Sequence, residues 1–268
     1  MVVSDRTKLA LRIAALGYLF ALVLIPLGMI LFRTFEDGLV AFWESVTTPA
    51  SIAAISLSLT IVAIVVPLNV IFGLVTALAL ARGRFRGRGI VQAIVDLPFA
   101  VSPVIVGVSL ILLWGVGGWF GGLAESGFRI IFSLPGMVLA TIFVTLPFVV
   151  REVEPVLREI GSEQEEAAAT LGASRLQTFF RITLPAIRWG VAYGVVLTVA
   201  RALGEFGALI VVAGGVSGES QTLTLLVHAR YIDDHNTFGA YAAATVLMGL
   251  ALIALFLMTL LNKKRESE

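Results

Sequence analysis

The chain has 268 residues, of which 58% are hydrophobic and only 14% are charged, and its mean hydropathy is +0.98. Soluble domains carry roughly 45–50% apolar and about 25% charged residues, so this chain lacks the polar surface of a water-soluble globule. Its 19 Lys and Arg residues against 18 Asp and Glu give no basic excess of the kind that binds nucleic acid. With no cysteine and two histidines, it also lacks disulfides, cysteine-ligated metal sites, thiol nucleophiles and a three-histidine metal site. The composition indicates a membrane protein.

Six apolar stretches follow one another along the chain, and each reaches the length of about 20 residues that a helix needs to cross a hydrocarbon core. The stretches are continuous rather than alternating, which favours helices over the strands of a membrane barrel. We therefore predict an all-α membrane protein, a single domain over residues 1–268, with six transmembrane helices. The expected spans cover about residues 10–33, 50–81, 92–117, 131–151, 187–213 and 237–261.

The distribution of positive charge predicts the orientation, because cytoplasmic connections retain Lys and Arg. If the N-terminus lies inside, the opposite side holds only Arg33, Arg129 and Arg230, and nearly all other Lys and Arg residues fall on the cytoplasmic side. Both termini are therefore expected in the cytoplasm.

The fourth-to-fifth connection, a cytoplasmic loop at about 152–186, is long and patterned as structure. Ser162 and Glu165 have the spacing of a capping box, which predicts a helix over 163–171. Gly172 is placed to end that helix in the left-handed conformation.

A second capping box, Ser174 with Gln177, predicts another short helix that Pro185 would end near Leu184. Ala167 and its neighbours give the first helix a slim flank suited to docking in another protein's groove. The alternative is an amphipathic helix resting on the lipid headgroups.

This loop resembles a known family. The residues Glu166-Ala167-Ala168, Gly172, Ile182 and Leu184-Pro185 match the signature EAA-x3-G-x9-I-x-LP of the membrane subunits of binding-protein-dependent ABC importers. The resemblance implies the type I ABC importer transmembrane fold and a coupling helix inserted in a cleft on a separate ATPase. The implied coupling residues are Glu166, Ala167, Ala168 and Gly172, with the adjacent Glu165.

The positions of the lysines indicate that ATP is hydrolysed by a separate subunit. The chain has only Lys8, Lys263 and Lys264, and none lies in the G-x-x-x-x-G-K-[ST] context of a P-loop. We expect a transport subunit with no catalytic site and no cofactor of its own, which depends on a partner ATPase that uses ATP and Mg²⁺.

Arg201 and Glu205 lie four residues apart within the fifth span, and charges at membrane depth generally face protein or a water-filled pathway. They predict a pathway or gate; the alternative is a self-paired polar patch that aids helix association. Gly204, beside them, permits close helix approach or a local break. The string A-R-A-L-G-E-F-G-A at 200–208 is similar to a segment of the sulfate and molybdate permeases, which implies a tetrahedral oxyanion as substrate.

Strings at 146–152, 165–173 and 187–190 further resemble the W-type permease subunits of sulfate/thiosulfate importers. This resemblance implies a bacterial inner-membrane location, membrane lipid around the chain, a second related permease, two ATPase copies and a periplasmic or lipid-anchored sulfate-binding protein. It leaves a molybdate or tungstate importer as the nearest alternative. An ion-coupled secondary transporter would need more ionisable groups in its spans, and a membrane-embedded enzyme would need a nucleophile–base pair or metal site at depth.

Three smaller features complete the pattern. Asp96, at the start of the third span, is expected to pair with Arg84, Arg86 or Arg88 rather than act in transport. Pro98 and Pro103 predict a kink in the third helix, and Ser102 between them is a pathway candidate. The outer-loop residues with metal-ligand side chains match no known ligand spacing and are expected to be solvated: His228, Asp233, Asp234 and His235.

Overall fold

The structure, a computed structural model, describes residues 5–122, 126–127 and 129–266. This part of the chain is built of helices and contains no β-strand. We number the α-helices in chain order: α1 (Asp5–Leu19), α2 (Ile25–Phe35), α3 (Gly38–Val46), α4 (Pro49–Arg82), α5 (Arg88–Ala100), α6 (Pro103–Trp114), α7 (Leu134–Glu159), α8 (Glu163–Thr170), α9 (Arg175–Thr178), α10 (Leu184–Leu203), α11 (Leu209–Val212), α12 (Leu223–His228) and α13 (Thr237–Glu266). Turns of π-helix join some of them, at Phe20–Leu24, Phe179–Thr183 and Ala229–Asp233.

The expected all-α membrane architecture is confirmed. Across the described ranges, five helical stretches are long and apolar enough to cross a membrane, and a bent pair of helices can supply a sixth crossing. The five are Thr7–Phe35, Pro49–Arg82, Leu134–Glu159, Arg175–Leu203 and Thr237–Leu260, and the bent pair is α5 with α6.

The third expected span, 92–117, is two helices rather than one kinked helix. The chain bends by 112° between α5 and α6. The backbone is extended at Val101 and Ser102, which lie at this bend. Pro103 takes the first position of α6, where its missing N–H costs nothing, and a proline disfavours helical backbone in the residue before it. The expected kink is therefore a full break, with Ser102 at its corner.

The fifth expected span, 187–213, begins and ends elsewhere. Helix α9, the π turn and α10 form one continuous helix, Arg175–Leu203, so the prediction that Pro185 ends a separate helix is wrong. A proline removes one helical hydrogen bond and crowds the carbonyl four residues earlier. The π turn Phe179–Thr183, closed by the Leu184 N–H on the Phe179 carbonyl, lies immediately before Pro185 and accommodates it. At the other end the helix stops at Leu203, because Gly204 caps it.

The helices α4, α7 and α10 form the centre of the molecule. Val149 of α7 lies between Gly73 of α4 and Gly194 of α10, where a Cβ added to either glycine would come within 3 Å of Val149 atoms. Inside the same interface the Asn69 amide donates to the Thr145 hydroxyl at 2.6 Å. The surrounding core is aliphatic: Ile61, Val65, Leu80, Val144, Val150, Val153, Leu157, Ile187, Leu209 and Val212 are buried.

The first helical stretch lies at the periphery. Its C-terminal end is joined to α13 by a 2.8 Å contact between the hydroxyls of Thr34 and Thr245. Towards its start, apolar side chains such as Ile13 and Phe20 are exposed. A helix that is apolar on nearly all sides is typical of a membrane span.

Candidate functional site

The helix α8 is the first helix expected in the loop between the fourth and fifth spans, and its end is confirmed in detail. Gly172 has a φ of +84°. The Ala173 N–H donates to the Ala168 carbonyl and the Gly172 N–H to the Ala169 carbonyl, both at 3.0 Å. These two bonds are the Schellman arrangement, which requires left-handed backbone at the glycine position. The loop therefore reverses sharply at Gly172.

The start of α8 differs from the prediction, because Ser162 and Glu165 do not form a capping box. The Ser162 hydroxyl donates instead to Glu166 Oε1 at 2.6 Å. Glu165 turns away to Arg82 of α4, with Nε–Oε2 at 3.1 Å. The second predicted box is confirmed: Ser174 and Gln177 bond each other's backbone N–H groups at 3.3 and 2.9 Å.

The loop presents exposed apolar side chains that the sequence reading missed. Leu171 is 88% exposed and Leu176 is 71% exposed, next to the exposed Glu166 and Ala167. Helix α8 also carries three glutamates in its first turn and neither Lys nor Arg. Interfacial helices are typically rich in Lys and Arg, which bind anionic headgroups, so this surface suits a protein groove better than a lipid surface.

Arg201 and Glu205 lie together at the point where the fifth helix breaks, paired as in the self-paired alternative. Arg201 Nη2 lies 2.9 Å from Glu205 Oε2, although the two atoms are not aligned for a hydrogen bond. Glu205 is fully buried, and its Oε1 accepts the Ala208 N–H at 2.8 Å. Its backbone carbonyl accepts the Thr224 hydroxyl at 2.8 Å. Glu205 thus holds the broken segment as well as the arginine.

Arg201 and Ser102 lie on one cleft of about 430 Å³, so the structure brings these two candidates together. The Arg201 side chain is 36% exposed, and Ser102 is at the α5–α6 corner. Gly204 is exposed beside the pair but does not line the cleft. The other side chains that line the cleft are apolar: Pro98, Phe99, Ala100, Val101, Pro103, Val144 and Phe148. A guanidinium and a hydroxyl among these side chains can contact an oxyanion without enclosing it.

Asp96 is paired as expected, but with a different partner. Its Oδ1 accepts from Arg151 at 2.8 and 3.0 Å, not from an arginine of the 84–88 cluster. The Arg151 guanidinium also lies over the Phe99 ring, 4.2 Å from its centroid. Phe99 in turn contacts Phe148 edge to face, with centroids 5.7 Å apart. Arg151 is the partner because the helix break packs α5 against α7.

The outer-loop histidines and aspartates do not assemble. No group of three or more His, Cys, Asp or Glu side chains that could hold a metal is found within the described ranges. The His228 ring packs on Phe206, with centroids 5.2 Å apart, and His235 Nδ1 lies 3.3 Å from the Asp233 carbonyl.

Comparisons with known proteins agree on one family. Residues 69–267 match the model of the binding-protein-dependent transport system inner membrane component. The chain is 48% identical to the sulfate transport system permease protein CysW of Synechococcus elongatus, over 96% of this chain and 90% of that protein. It is 35% identical to the sulfate transport system permease protein CysT of Salmonella typhimurium, over 98% of this chain and 97% of that protein. A bacterial alginate ABC transporter, solved in complex with an alginate-bound periplasmic protein, contains a chain of the same fold, with a TM-score of 0.76 at 22% identity; the match covers 97% of this chain and 93% of that one.

Proposed function

Since the chain belongs to the family of binding-protein-dependent transport system inner membrane components, we propose that it is a permease subunit of an ATP-driven sulfate/thiosulfate importer. The proposed substrate is supported by the 48% identity to a sulfate permease over nearly the full length of both chains. In this proposal the chain forms half of the translocation pathway, and a separate ATPase supplies the energy.

The coupling step uses the cytoplasmic loop. The exposed Glu166, Ala167 and Leu171 meet the ATPase cleft, and Gly172 sets the reversal that presents them. Ala168, also expected to couple, is buried and supports the helix from its inner side. Because α9, the π turn and α10 are continuous from Arg175 to Leu203, a displacement of the loop moves the helix that carries Arg201. Closure of the ATPase pair, which binds ATP and Mg²⁺, would in this way tilt α10 and change access to the cleft.

The substrate step uses Arg201 and Ser102. Within the described part of the chain, Arg201 makes one polar contact, with the Glu205 carboxylate. Its other N–H groups can donate to the oxygens of a passing sulfate, and Ser102 can add a hydroxyl donor from the same cleft. The buried Glu205 opposes tight anion binding, so the contact is transient, as passage requires.

The assembly follows the family pattern. The partners are a second related permease of the kind that the CysT relatives represent, two copies of the ATPase, and a periplasmic or lipid-anchored sulfate-binding protein. The complex lies in the bacterial inner membrane with both termini of this chain in the cytoplasm.

The test is uptake of labelled sulfate by cells that lack the gene, with and without complementation, and with thiosulfate and molybdate as competitors. We expect uptake to be lost and restored, and to be competed by thiosulfate and only weakly by molybdate. Unchanged sulfate uptake with lost molybdate uptake would overturn the substrate while leaving the coupling proposal in place.

A further inference from the structure

Arg82, the last residue of α4, contacts three separate segments of the chain. Its Nη1 donates to the Leu157 carbonyl near the end of α7, and its Nη2 donates to the Gly161 carbonyl before α8, both at 2.6 Å. Its Nε and Nη2 also donate to the Glu165 carboxylate within α8, at 3.1 and 3.3 Å. The planar guanidinium suits this arrangement because its N–H donors point in fixed directions.

Glu165 extends the same network to the fifth helix. Its Oε1 accepts the Thr183 hydroxyl at 2.9 Å, and Thr183 is the buried last residue of the π turn that leads into α10. Arg82, Glu165 and Thr183 therefore connect the ends of α4 and α7, the loop helix α8 and the base of α10.

Packing holds α8 on one side only, where Ala168 is buried. On the side of α4, an open pocket of about 1000 Å³ is lined by residues of both helices, and Arg82, Glu165 and Thr183 lie on its walls. The chain on either side of α8 turns at Gly161 and Gly172, both with positive φ. Charge-assisted hydrogen bonds across this gap are the contacts that can transmit a displacement of α8.

We propose that Arg82 is a positioning residue that fixes the loop helix to the ends of α4 and α7, so that one displacement of α8 moves α4, α7 and α10 together. This inference rests on the proposed coupling function and adds to it the route by which the movement enters the membrane helices. Arg82 has no contact with ATP or substrate in this scheme.

The first test compares Arg82→Gln with Arg86→Gln in the assembled transporter. Arg86 is an exposed arginine of the same connection, so its loss removes the same topogenic charge. We expect R82Q to reduce sulfate uptake and the ATPase stimulation by binding protein about tenfold, while the ATPase still copurifies and R86Q behaves as the wild type. Uptake by R82Q within about twofold of the wild type would overturn the proposal.

Two milder variants guard against a folding defect in R82Q. Thr183→Val keeps the side-chain shape and removes only the hydroxyl that Glu165 accepts, and Glu165→Gln keeps the oxygen but not the charge. Each is expected to reduce uptake, and R82Q combined with E165Q should be no worse than R82Q alone, because the residues act through one contact. Effects that multiply would contradict a shared network.

The mobility of the loop helix can be measured without any transport assay, which tests the role of Arg82 independently of the proposed substrate. The chain has no cysteine, so a spin label on Gln164→Cys, at an exposed position of α8, reports the mobility of the loop helix in the full chain reconstituted in lipid. R82Q should mobilise the label and R86Q should not. A mobile label in R82Q would support the positioning role of Arg82 even if the substrate proved wrong. An unchanged spectrum would overturn that role even if sulfate uptake is confirmed.

Discussion

The conformation of the loop after α8 depends on a single residue, Gly172. A Cβ at this position would meet no atom within 4 Å, so space does not restrict the residue. Its φ of +84° does, because left-handed backbone costs an ordinary residue roughly 1–2 kcal/mol and a β-branched residue more. Asparagine tolerates that region better than other non-glycine residues.

We predict that Gly172→Val abolishes sulfate uptake while the subunit still inserts, because the two Schellman bonds and the reversal of the loop depend on that φ. Gly172→Asn is the matched control, since it adds a side chain of similar size yet permits the turn. Uptake assays with membrane-fraction blots measure both. Normal uptake by G172V, or equal loss in G172N, would count against the conformational requirement.

Arg201 can stabilise the helix break through Glu205, or it can contact the substrate. Variants that remove one charge or both distinguish these two roles. Arg201→Gln leaves the buried Glu205 carboxylate without its partner, which destabilises the helix break whatever the arginine does for the substrate. Arg201→Gln with Glu205→Gln removes both charges and keeps an amide at each position.

We predict that uptake falls in R201Q and stays low in the double variant, because the cleft then lacks its guanidinium. Thermal unfolding of the purified subunit measures the structural part, which should recover in the double variant. If uptake recovers together with stability in the double variant, the ion pair has only a structural role.

At the scale of elements, the two broken helices meet each other. A Cβ on Gly207 would lie 3.1 Å from Pro103 at the start of α6, and one on Gly107 of α6 would lie 2.8 Å from the Ala208 carbonyl. The α5–α6 corner and the segment after α10 are therefore packed backbone to backbone. The segment that follows α10 contacts this corner directly, and the cleft of Arg201 and Ser102 lies at the same junction.

The half-helix α5 is held on α7 by Arg151, which contacts both Asp96 and Phe99. The two charged side chains are 36% and 50% exposed, so the ion pair contributes about 0.2–1 kcal/mol. The contact with the Phe99 ring adds about 0.5–1 kcal/mol.

We therefore predict that Arg151→Gln lowers the free energy of unfolding by about 1–2 kcal/mol, more than Asp96→Asn, which removes only the ion pair. Arg33→Gln, which breaks an exposed ion pair with Glu36 far from this contact, is the control and should have little effect. Equal losses in D96N and R151Q would show that the aromatic contact adds nothing.

The sequence was sufficient where a local rule decides the structure. Apolar length predicted the helices, the Ser174–Gln177 spacing predicted a cap, and Gly172 predicted a left-handed turn. It failed where a distant partner competes with a local one. Arg82, for example, draws Glu165 out of its capping box. It also failed at Pro185, because a π turn that ends at Thr183 joins two helices where the proline predicted a stop.

At the scale of the whole molecule, orientation decides whether the loop helix faces the ATPase. Gln164 of α8 and Asp234 after α12 are both exposed, and one complete apolar helix, Arg175–Leu203, lies between them. The helix α11 has four residues, and α12 with the π turn that continues it has six and five, hence lengths of about 6 and 16 Å, too short to cross a hydrocarbon core of about 30 Å. The two positions should therefore lie on opposite sides of the membrane.

Because the chain contains no cysteine, single replacements test this arrangement directly. We predict that a membrane-impermeant maleimide added to intact spheroplasts labels Asp234→Cys and not Gln164→Cys, and that both are labelled once the membrane is disrupted. The reason is the excess of Lys and Arg beside α8 and at the ends of the helices that lead to it, which is expected to retain that side in the cytoplasm. The reverse pattern would place the loop outside, away from any ATP-hydrolysing partner, and would overturn the coupling proposal. Labelling of both positions in intact spheroplasts would show instead that Arg175–Leu203 does not cross the membrane.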